Sequence, residues 1–485
     1  MYDVIVVGSG VVGAGVAYEL SRCQLRVAVL EKENDVACGT TKANSAIVHA
    51  GYDPLPGTRM ARLNVQGSKM MEDLCRRLSV EYRRIGSLVL AFNDRDLQTL
   101  RGLYRRGEVN GVENLKLLSA EETLQMEPNL SPEVCGALYA PSAAIIDPWG
   151  LAIALAETAV RNGVELHRNA GVRGIRKKSE SYEIETDAGV FETRYLVNAA
   201  GTHADEINNF VAKPFFEILP VRGEYYVLDK NQGDTVSHTI FQCPDKKGKG
   251  VLISPTVDGN LIVGPTADPA SDPENTAVTA EGLAKIMSVS ARSSGKVNFR
   301  EAIRNFAGVR ATASGSDDFI IEPSPDAPRF VNVAAIKSPG LSASPAIALE
   351  VRSILEQMGL TCKKKDSFVE TRGHKLFRDM TAEQQKEAIR KDPRYGRVIC
   401  RCETITEGDI IDALHSPIPP VSIDGVKRRC NAGMGRCQGG FCGPRVHEIL
   451  HRETGMRMEQ ICQDKTGSFL LTGETKREEK QHEAV

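Results

Sequence analysis

Three things are scarce in this sequence, and each scarcity removes a class of explanation. The first is an excess of charge of one sign. Across 485 residues, 61 Lys and Arg stand against 63 Asp and Glu, a formal net charge of −2. A chain so balanced has no general electrostatic pull towards nucleic acid or an anionic membrane surface. Long apolar runs are the second. No stretch is long and apolar enough to span a bilayer. A β-branched strand starting at Tyr2 leaves no room for a cleavable signal peptide. The expectation is a cytoplasmic protein with reduced thiols, peripheral to a membrane only through a partner. Tryptophan is the third, with Trp149 alone. A core anchor explains it as well as a cofactor contact does.

Cysteine is not scarce. Twelve are present, five of them between Cys400 and Cys442. In a reducing compartment they are not expected to form a disulfide framework, and such crowding signals a bound metal or cluster. The length favours two or three domains rather than one.

The chain opens with an organising unit. Val4 to Val7 is a short β-branched run, as expected for a parallel strand buried on both faces. Gly8, Gly10 and Gly13 follow in the order G-x-G-x-x-G. They supply a tight turn, a close backbone approach to pyrophosphate and close helix–strand packing. The helix they open would aim its N-terminal N–H groups at phosphates. A second apolar strand, residues 27–30, ends at Glu31, whose carboxylate can accept hydrogen bonds from ribose hydroxyls and disfavours a 2′-phosphate. Strand, glycine triplet, helix and acidic terminus within thirty residues predict a dinucleotide site.

Further along, Cys38 to Tyr52 is a loop of small and hydroxyl residues leading to His49. Together with the opening unit, this segment resembles the FAD-dependent dehydrogenases and oxidases of the D-amino acid oxidase superfamily, above all its glycerol-3-phosphate dehydrogenases and L-2-hydroxyglutarate oxidases. The resemblance implies that Thr40, Thr41, Asn44 and Ser45 contact the flavin cofactor and that His49 faces the reacting carbon. A histidine packed in a buried strand is the competing reading of His49. By the same resemblance Val172 contacts adenine through its backbone. Ala200 and Gly201 let the backbone approach FAD at the end of the strand 195–201. The family often continues there with Trp-Ala, where this chain has Thr202, His203 and Ala204.

Residues 58–80 and 95–130 read as amphipathic helices, with a strand at 86–92 between them. A helix over residues 151–161 follows Pro148. Residues 220–226 and 250–264 read as strands roofing the flavin, the second stretch folded at Asp258-Gly259-Asn260. Arg310 follows a small-residue strand edge and matches the family's anion clamp, since a planar guanidinium binds carboxylate or phosphate bidentately. A surface salt bridge is its bland alternative. After the last nucleotide-domain strand, 331–336, Gly340, Leu341 and Ser342 open a helix whose N-terminus would face the flavin's pyrimidine end. Many glycerol-3-phosphate dehydrogenases carry a lysine where Gly340 stands. Lys337 lies three residues earlier and, with Arg222, is a further substrate-binding candidate.

Residues 359–396 change to charged runs and read as a linker, with a capped helix at 382–391 introduced by Thr381 and Gln384. Cys400-Arg-Cys402 and Cys437-Gln-Gly-Gly-Phe-Cys442 then present two close thiol pairs, which suit zinc or an iron–sulfur cluster. The spacing resembles the bacterioferritin-associated ferredoxin type of 2Fe–2S domain, which implies Cys400, Cys402, Cys437 and Cys442 as ligands. Cys430 is a fifth thiol outside that pattern. Lys427, Arg428, Arg429 and Arg436 are either counter-charges to an anionic cluster or a solvated face.

The expected fold is α/β and α+β. A Rossmann-like FAD-binding domain (about 1–80, 140–212 and 300–358) interleaves with a substrate domain built on a β-sheet (about 81–139 and 213–299). Together they form an oxidoreductase over 1–358. The linker, a small cysteine-cluster domain (397–460) and a polar tail (461–485) follow. The resemblance implies an FAD-dependent dehydrogenase acting on a small anionic hydroxy substrate, foremost sn-glycerol 3-phosphate, with electrons leaving through a 2Fe–2S cluster to a partner flavoprotein or electron-acceptor subunit. A 2-hydroxy acid such as L-2-hydroxyglutarate, or an amino acid, is the competing substrate. An electron-transfer or redox-sensing subunit with catalysis on a partner is the competing class, against which His49 and Arg310 both argue.

Overall fold

The computed structural model describes residues 1–244, 250–370, 372–373 and 375–473. The chain forms two compact units, residues 1–375 and 376–485.

In the first unit, one sheet holds the nucleotide-binding strands. Tyr2–Val7 lies between two parallel neighbours, Val27–Leu30 and the second half of Gly189–Asn198. Glu165–His167 and Phe330–Ala334 extend the parallel part on either side, and antiparallel strands at Val172–Lys177 and Tyr182–Thr186 complete one edge. Both faces are covered. Helices Val11–Leu20 and Gly340–Gln357 pack through Val16, Leu20, Ile347 and Val351 against Val4, Val6 and Val197 on one face. Ile5, Leu30, Leu196 and Phe330 fill the other. Burial on both sides is why these strands read as unbroken apolar runs.

A second sheet roofs the unit. Its long strands Ile218–Leu228 and Ala302–Ala313 run antiparallel from Ile218 opposite Ala313 to Leu228 opposite Ala302. Leu261–Gly264, Leu252–Pro255, Thr239–Gln242, Ser87–Ala91, Gly136–Ala140 and Lys116–Ser119 follow in spatial order. Leu252–Pro255 and Leu261–Gly264 form the expected hairpin, with Asn260 turned back to Leu228 O.

Three expectations change. Residues 95–130 are not one helix: Asp94–Val109 stops before Gly111 and Asn114, both at positive φ, and Lys116–Ser119 becomes an edge strand. Ser119 then caps Ala120–Met126 in a reciprocal bond with Glu122, so turn and capping residues override the apolar spacing. The linker is the second. Residues 360–370 lie along the first unit, with Gln24 N donating to Lys363 O at 2.7 Å and Arg372 paired to the buried Glu157 at 2.7 Å. Residues 377–396 belong to the second unit. The third concerns thiols: antiparallel bridging of Cys23 to Lys364 brings Cys23 and Cys362 to a Cα separation of 5.2 Å, and they form a disulfide.

In the second unit, helices Glu407–Leu414, Ile423–Cys430 and Gly443–Thr454 pack around Ile410, Val426, Val446 and Leu450. Helix Ala382–Lys391 is capped by Thr381 and Gln384 as predicted. The expected tail begins late. Ile461 and Cys462 are buried, and Cys462 bridges to Ser422. Residues 474–485 of that tail lie outside the described residues.

Candidate functional site

The glycine turn is built for a phosphate-bearing ligand. Gly8 has φ +96°, and a Cβ there would stand 2.5 Å from Ala199 O; one at Gly13 would stand 2.0 Å from Gly8 O. Gly10 caps the helix Val11–Leu20 with no side-chain bond. Thr41 Oγ1 accepts from Val11 N at 3.0 Å. The Ser9 hydroxyl is buried without a hydrogen-bond partner among the described residues, as expected of a group awaiting an acceptor. Glu31 is buried at the end of its strand and accepts from Ser9 N (2.8 Å) and Glu33 N (3.0 Å). Burial pushes its carboxyl up to about 7, with the two backbone N–H groups working against that rise. Val172 starts the antiparallel edge strand of the same sheet. Ala200 and Gly201 close the turn after Asn198, whose amide is tied to Asn332. These residues line one edge of the nucleotide sheet and fit the adenosine and pyrophosphate portion of a dinucleotide.

The loop 40–46 crosses from that edge to the roof sheet. Thr40 Oγ1 donates to Val309 O at 2.6 Å, and a Cβ at Gly308 would meet Ala43 O at 1.9 Å, so loop and strand are in backbone contact. The Asn44 amide donates to Thr41 O (2.7 Å) and accepts from Ala46 N (2.8 Å), holding the loop's shape. Ser45 Oγ lies 3.0 Å from the Tyr225 hydroxyl, and Tyr225 stacks on Phe306 at 4.7 Å. His49 follows. Its backbone N–H donates to Ser342 Oγ at 2.8 Å, its Nε2 lies 3.2 Å from Ser338 Oγ, and its ring stacks on Phe241. A small cavity beside it is lined by Tyr52, Asp53, Phe241 and Gln242. Gly340 and Leu341 begin the helix that carries Ser342, and Pro339 at its cap makes no side-chain bond to the helix N-terminus.

Arg310 and Arg222 part company here. Side chains alternate along a strand, and the register sets Val221 opposite Arg310 and Gly223 opposite Gly308. Arg310 therefore shares the face of Tyr225 and Phe306, its guanidinium weakly held by Thr266 O at 3.4 Å. Arg222 points to the other face and pairs with the fully buried Glu224 at 3.3 Å. Lys337 is ion-paired with Asp317. Sequence reasoning did not single out Tyr225, Phe241, Gly223 or Gly308. Gly223 and Tyr225 lay in the predicted strand 220–226 and Gly308 just before Arg310, whereas Phe241, in Thr239–Gln242, carried no signal.

In the second unit the four thiols meet two by two. Cys402 and Cys437 have their sulfurs 3.9 Å apart, and the Cys442 thiol hydrogen-bonds Cys400. That bond, with N–H groups of Gly433 and Glu403, lowers Cys400 to about 6, whereas Cys442 is raised. Cys437 is lowered by the N–H of Phe441. Each pair thus has one sulfur shifted towards the thiolate, and the four cysteines would together hold a two-iron cluster. Cys430 is buried apart from them, donating to Val426 O, and burial pushes its thiol up to about 12. Arg428 and Arg429 are buried, Arg428 paired to Asp464 at 2.6 Å, so neither forms a solvated face.

Residues 3–353 match the family described as FAD dependent oxidoreductase, and residues 398–452 match the BFD-like [2Fe-2S] binding domain. The chain belongs to the FAD-dependent oxidoreductase family. FAD is its cofactor, and the cysteine unit carries a 2Fe–2S cluster. The chain is 50% identical to a glycerol 3-phosphate dehydrogenase of Caloramator mitchellensis over 479 residues, covering 99% of this chain and 100% of that one. Among solved structures it resembles the FAD-bound, dithionite-reduced L-alpha-glycerophosphate oxidase of Mycoplasma pneumoniae, with a TM-score of 0.73 and 34% identity over 76% of this chain and 98% of the other. An L-2-hydroxyglutarate dehydrogenase of Escherichia coli is 31% identical over 273 residues, 55% of this chain and 64% of that protein. The chain is thus an FAD-dependent oxidoreductase like the glycerol 3-phosphate dehydrogenases. Among its described residues no helix is long and apolar enough to cross a membrane.

Proposed function

We propose that this FAD-dependent dehydrogenase oxidises sn-glycerol 3-phosphate to dihydroxyacetone phosphate and passes the electrons through its 2Fe–2S cluster to an external acceptor. The observation that carries the reading is the placement of Arg310 on the sheet face of Tyr225 and Phe306, the face against which the His49 segment packs. FAD when bound accepts a hydride and releases electrons singly, which is the chemistry a two-electron alcohol oxidation needs. The chain supplies the rest. Arg310 holds the substrate's anionic group. His49 orients the alcohol and takes its proton at Nε2, with Ser338 steadying the ring and Ser342 fixing the backbone. Glu31 binds the adenosine ribose, the glycine turn the pyrophosphate, and Gly340 to Ser342 the pyrimidine end. Residues 1–358 are the oxidoreductase and 397–460 the cluster module. On this reading the enzyme works in the cytoplasm and reaches any membrane acceptor through a partner subunit.

A second substrate keeps its place for a specific reason. A phosphate dianion calls for more cation than Arg310 alone, and Lys337 is already engaged by Asp317. The planar guanidinium of Arg310 also matches one carboxylate of a 2-hydroxy acid such as L-2-hydroxyglutarate bidentately. Anaerobic reduction of the bound flavin separates the two: glycerol 3-phosphate should bleach it in one turnover, and L-2-hydroxyglutarate should not. Arg310→Met should cost about 3–5 kcal/mol in kcat/KM, the scale for one member of a buried charge pair. His49→Gln should slow flavin reduction more than it weakens substrate binding. Normal turnover in both variants would overturn the site.

A further inference from the structure

The cysteine unit leaves one side of its thiol site open. Cys400 and Cys442 are buried, Cys402 is exposed and Cys437 partly so. The open side is bordered by a particular set of residues. Arg401 and Arg436, the neighbours of Cys402 and Cys437 in the chain, are both exposed. Phe441, beside Cys442, is 86% exposed, more than any other large apolar residue described. Arg445 is exposed in the first turn of the helix Gly443–Thr454. Among the described residues, the carboxylate inside this border, Glu403, is buried and paired to Arg378 at 2.9 Å. Along the helix, the next exposed carboxylate is Glu448.

A phenylalanine exposed to this degree contributes nothing to the core around Val426 and Leu450. Aromatic residues and arginine are the types enriched at the centres of protein interfaces. A cationic border also attracts an anionic partner from a distance and orients it on approach.

We propose that Arg401, Phe441 and Arg445 form the docking surface for an acidic one-electron carrier protein. The inference rests on the electron-exit reading above and names the partner's chemistry. Phe441 enters an apolar spot on the carrier, and the guanidinium groups of Arg401 and Arg445 face its carboxylates. The open side at Cys402 and Cys437 then lies against the carrier's redox centre. One electron passes per encounter, oxidising the cluster and reducing the carrier, with no bond made or broken. Small, salt-sensitive contacts of this kind are the rule for transient redox pairs.

The test uses the full-length holoenzyme with oxidised flavodoxin and plant-type ferredoxin, two acidic one-electron carriers, as probes. Binding is read by calorimetry at low and high ionic strength, and transfer by stopped-flow after substrate reduction. Wild type should bind at least one probe, with affinity falling steeply as salt rises. Reversing Arg401 and Arg445 to glutamate should lower the association rate at least about tenfold and flatten the salt dependence. Phe441→Ala should weaken binding and leave the salt slope as it was. Iron, acid-labile sulfide and single-turnover flavin reduction should stay at wild-type values. No saturable binding of either probe by wild type would overturn the acidic-carrier assignment, as would arginine variants that bind with unchanged affinity and salt dependence. Slowed flavin-to-cluster transfer in the absence of any carrier would also overturn it, because the surface would then serve the electrons' entry. Failure of electron exit itself has a separate signature: a cluster-free Cys437→Ser enzyme reducing the carrier at the normal rate.

Discussion

Gly223 forms the floor beneath Arg310: a Cβ built at 223 would stand 2.6 Å from the guanidinium Nη2, with Pro265 Cβ and Thr266 O at 2.9 and 3.0 Å closing the slot. The guanidinium lies where only a residue without a side chain lets it lie. Gly223→Ala should push it out of the slot, because a side-chain tip yields more readily than the backbone around it. The expected result is a rise in KM with kcat less affected, a loss of about 1–3 kcal/mol in kcat/KM on the scale of an overpacked site. Steady-state kinetics with glycerol 3-phosphate would check it, and an unchanged KM would remove Gly223 from the clamp.

Glu31 makes FAD affinity depend on pH. Without the cofactor its carboxyl titrates near about 7 because it is buried. Ribose hydroxyls donate to the ionised form, so FAD binding lowers that pKa. Affinity should therefore rise with pH up to about 7 and level off above it. Glu31→Gln should remove the pH dependence, and Glu31→Ala should cost about 1–3 kcal/mol of FAD affinity. Fluorescence titration across the acid-to-neutral range is the measurement.

His203, where the family often has tryptophan, joins a charged cluster. Its Nε2 lies 2.8 Å from Glu274 and 3.1 Å from Lys32, and its Nδ1 3.1 Å from Glu206, with Glu33 close to Lys32. The Glu274 hydrogen bond raises its pKa most, and burial and Lys32 oppose that. A raised folded-state pKa gives stability that is full below the unfolded value of about 6.5 and lost as pH rises through the folded value. Glu274→Gln should thus lower Tm more on the acid side of neutrality than on the alkaline side. An equal loss at both would place the cluster's contribution elsewhere.

The two units should separate under mutation. Cys437→Ser should abolish the cluster, read as loss of iron and acid-labile sulfide, and leave FAD bound. Substrate should still reduce the flavin in a single turnover, and steady-state transfer to a carrier should collapse. Stoichiometric zinc in the wild-type protein would overturn the cluster's role.

How much of this was legible in the sequence follows from how far apart the cooperating residues are. Gly8 to Glu31 is a local unit: strand, turn and helix are dictated by residues within one another's reach, and the fold keeps each where its spacing put it. Cys400 and Cys402 are likewise close neighbours, as are Cys437 and Cys442, and chain spacing alone announced two pairs. What spacing could not decide was which thiol meets which. The fold crosses the motifs, joining Cys402 to Cys437 and Cys400 to Cys442. The charged stretch from 359 to 396 looked like a linker because its partners, Glu157 and Asn162 on one side and Asp409 on the other, lie far away in sequence. The capped turn at Ser119 shows the converse, a local signal strong enough to break a helical pattern.

Arg222 and Arg310 mark the boundary most clearly. The family resemblance named Arg310 as the anion clamp and left Arg222 as a further candidate, and residue type alone does not separate them. Strand register, set by hydrogen bonds between segments almost ninety residues apart (Val221 opposite Arg310), turned one towards the His49 side and the other towards Glu224. Composition and local order determined the cofactor-binding unit and the cysteine module. Only the pairing of distant strands decided which arginine shares a sheet face with Tyr225 and Phe306, because a side chain's direction in a sheet depends on a partner that its own neighbourhood does not specify.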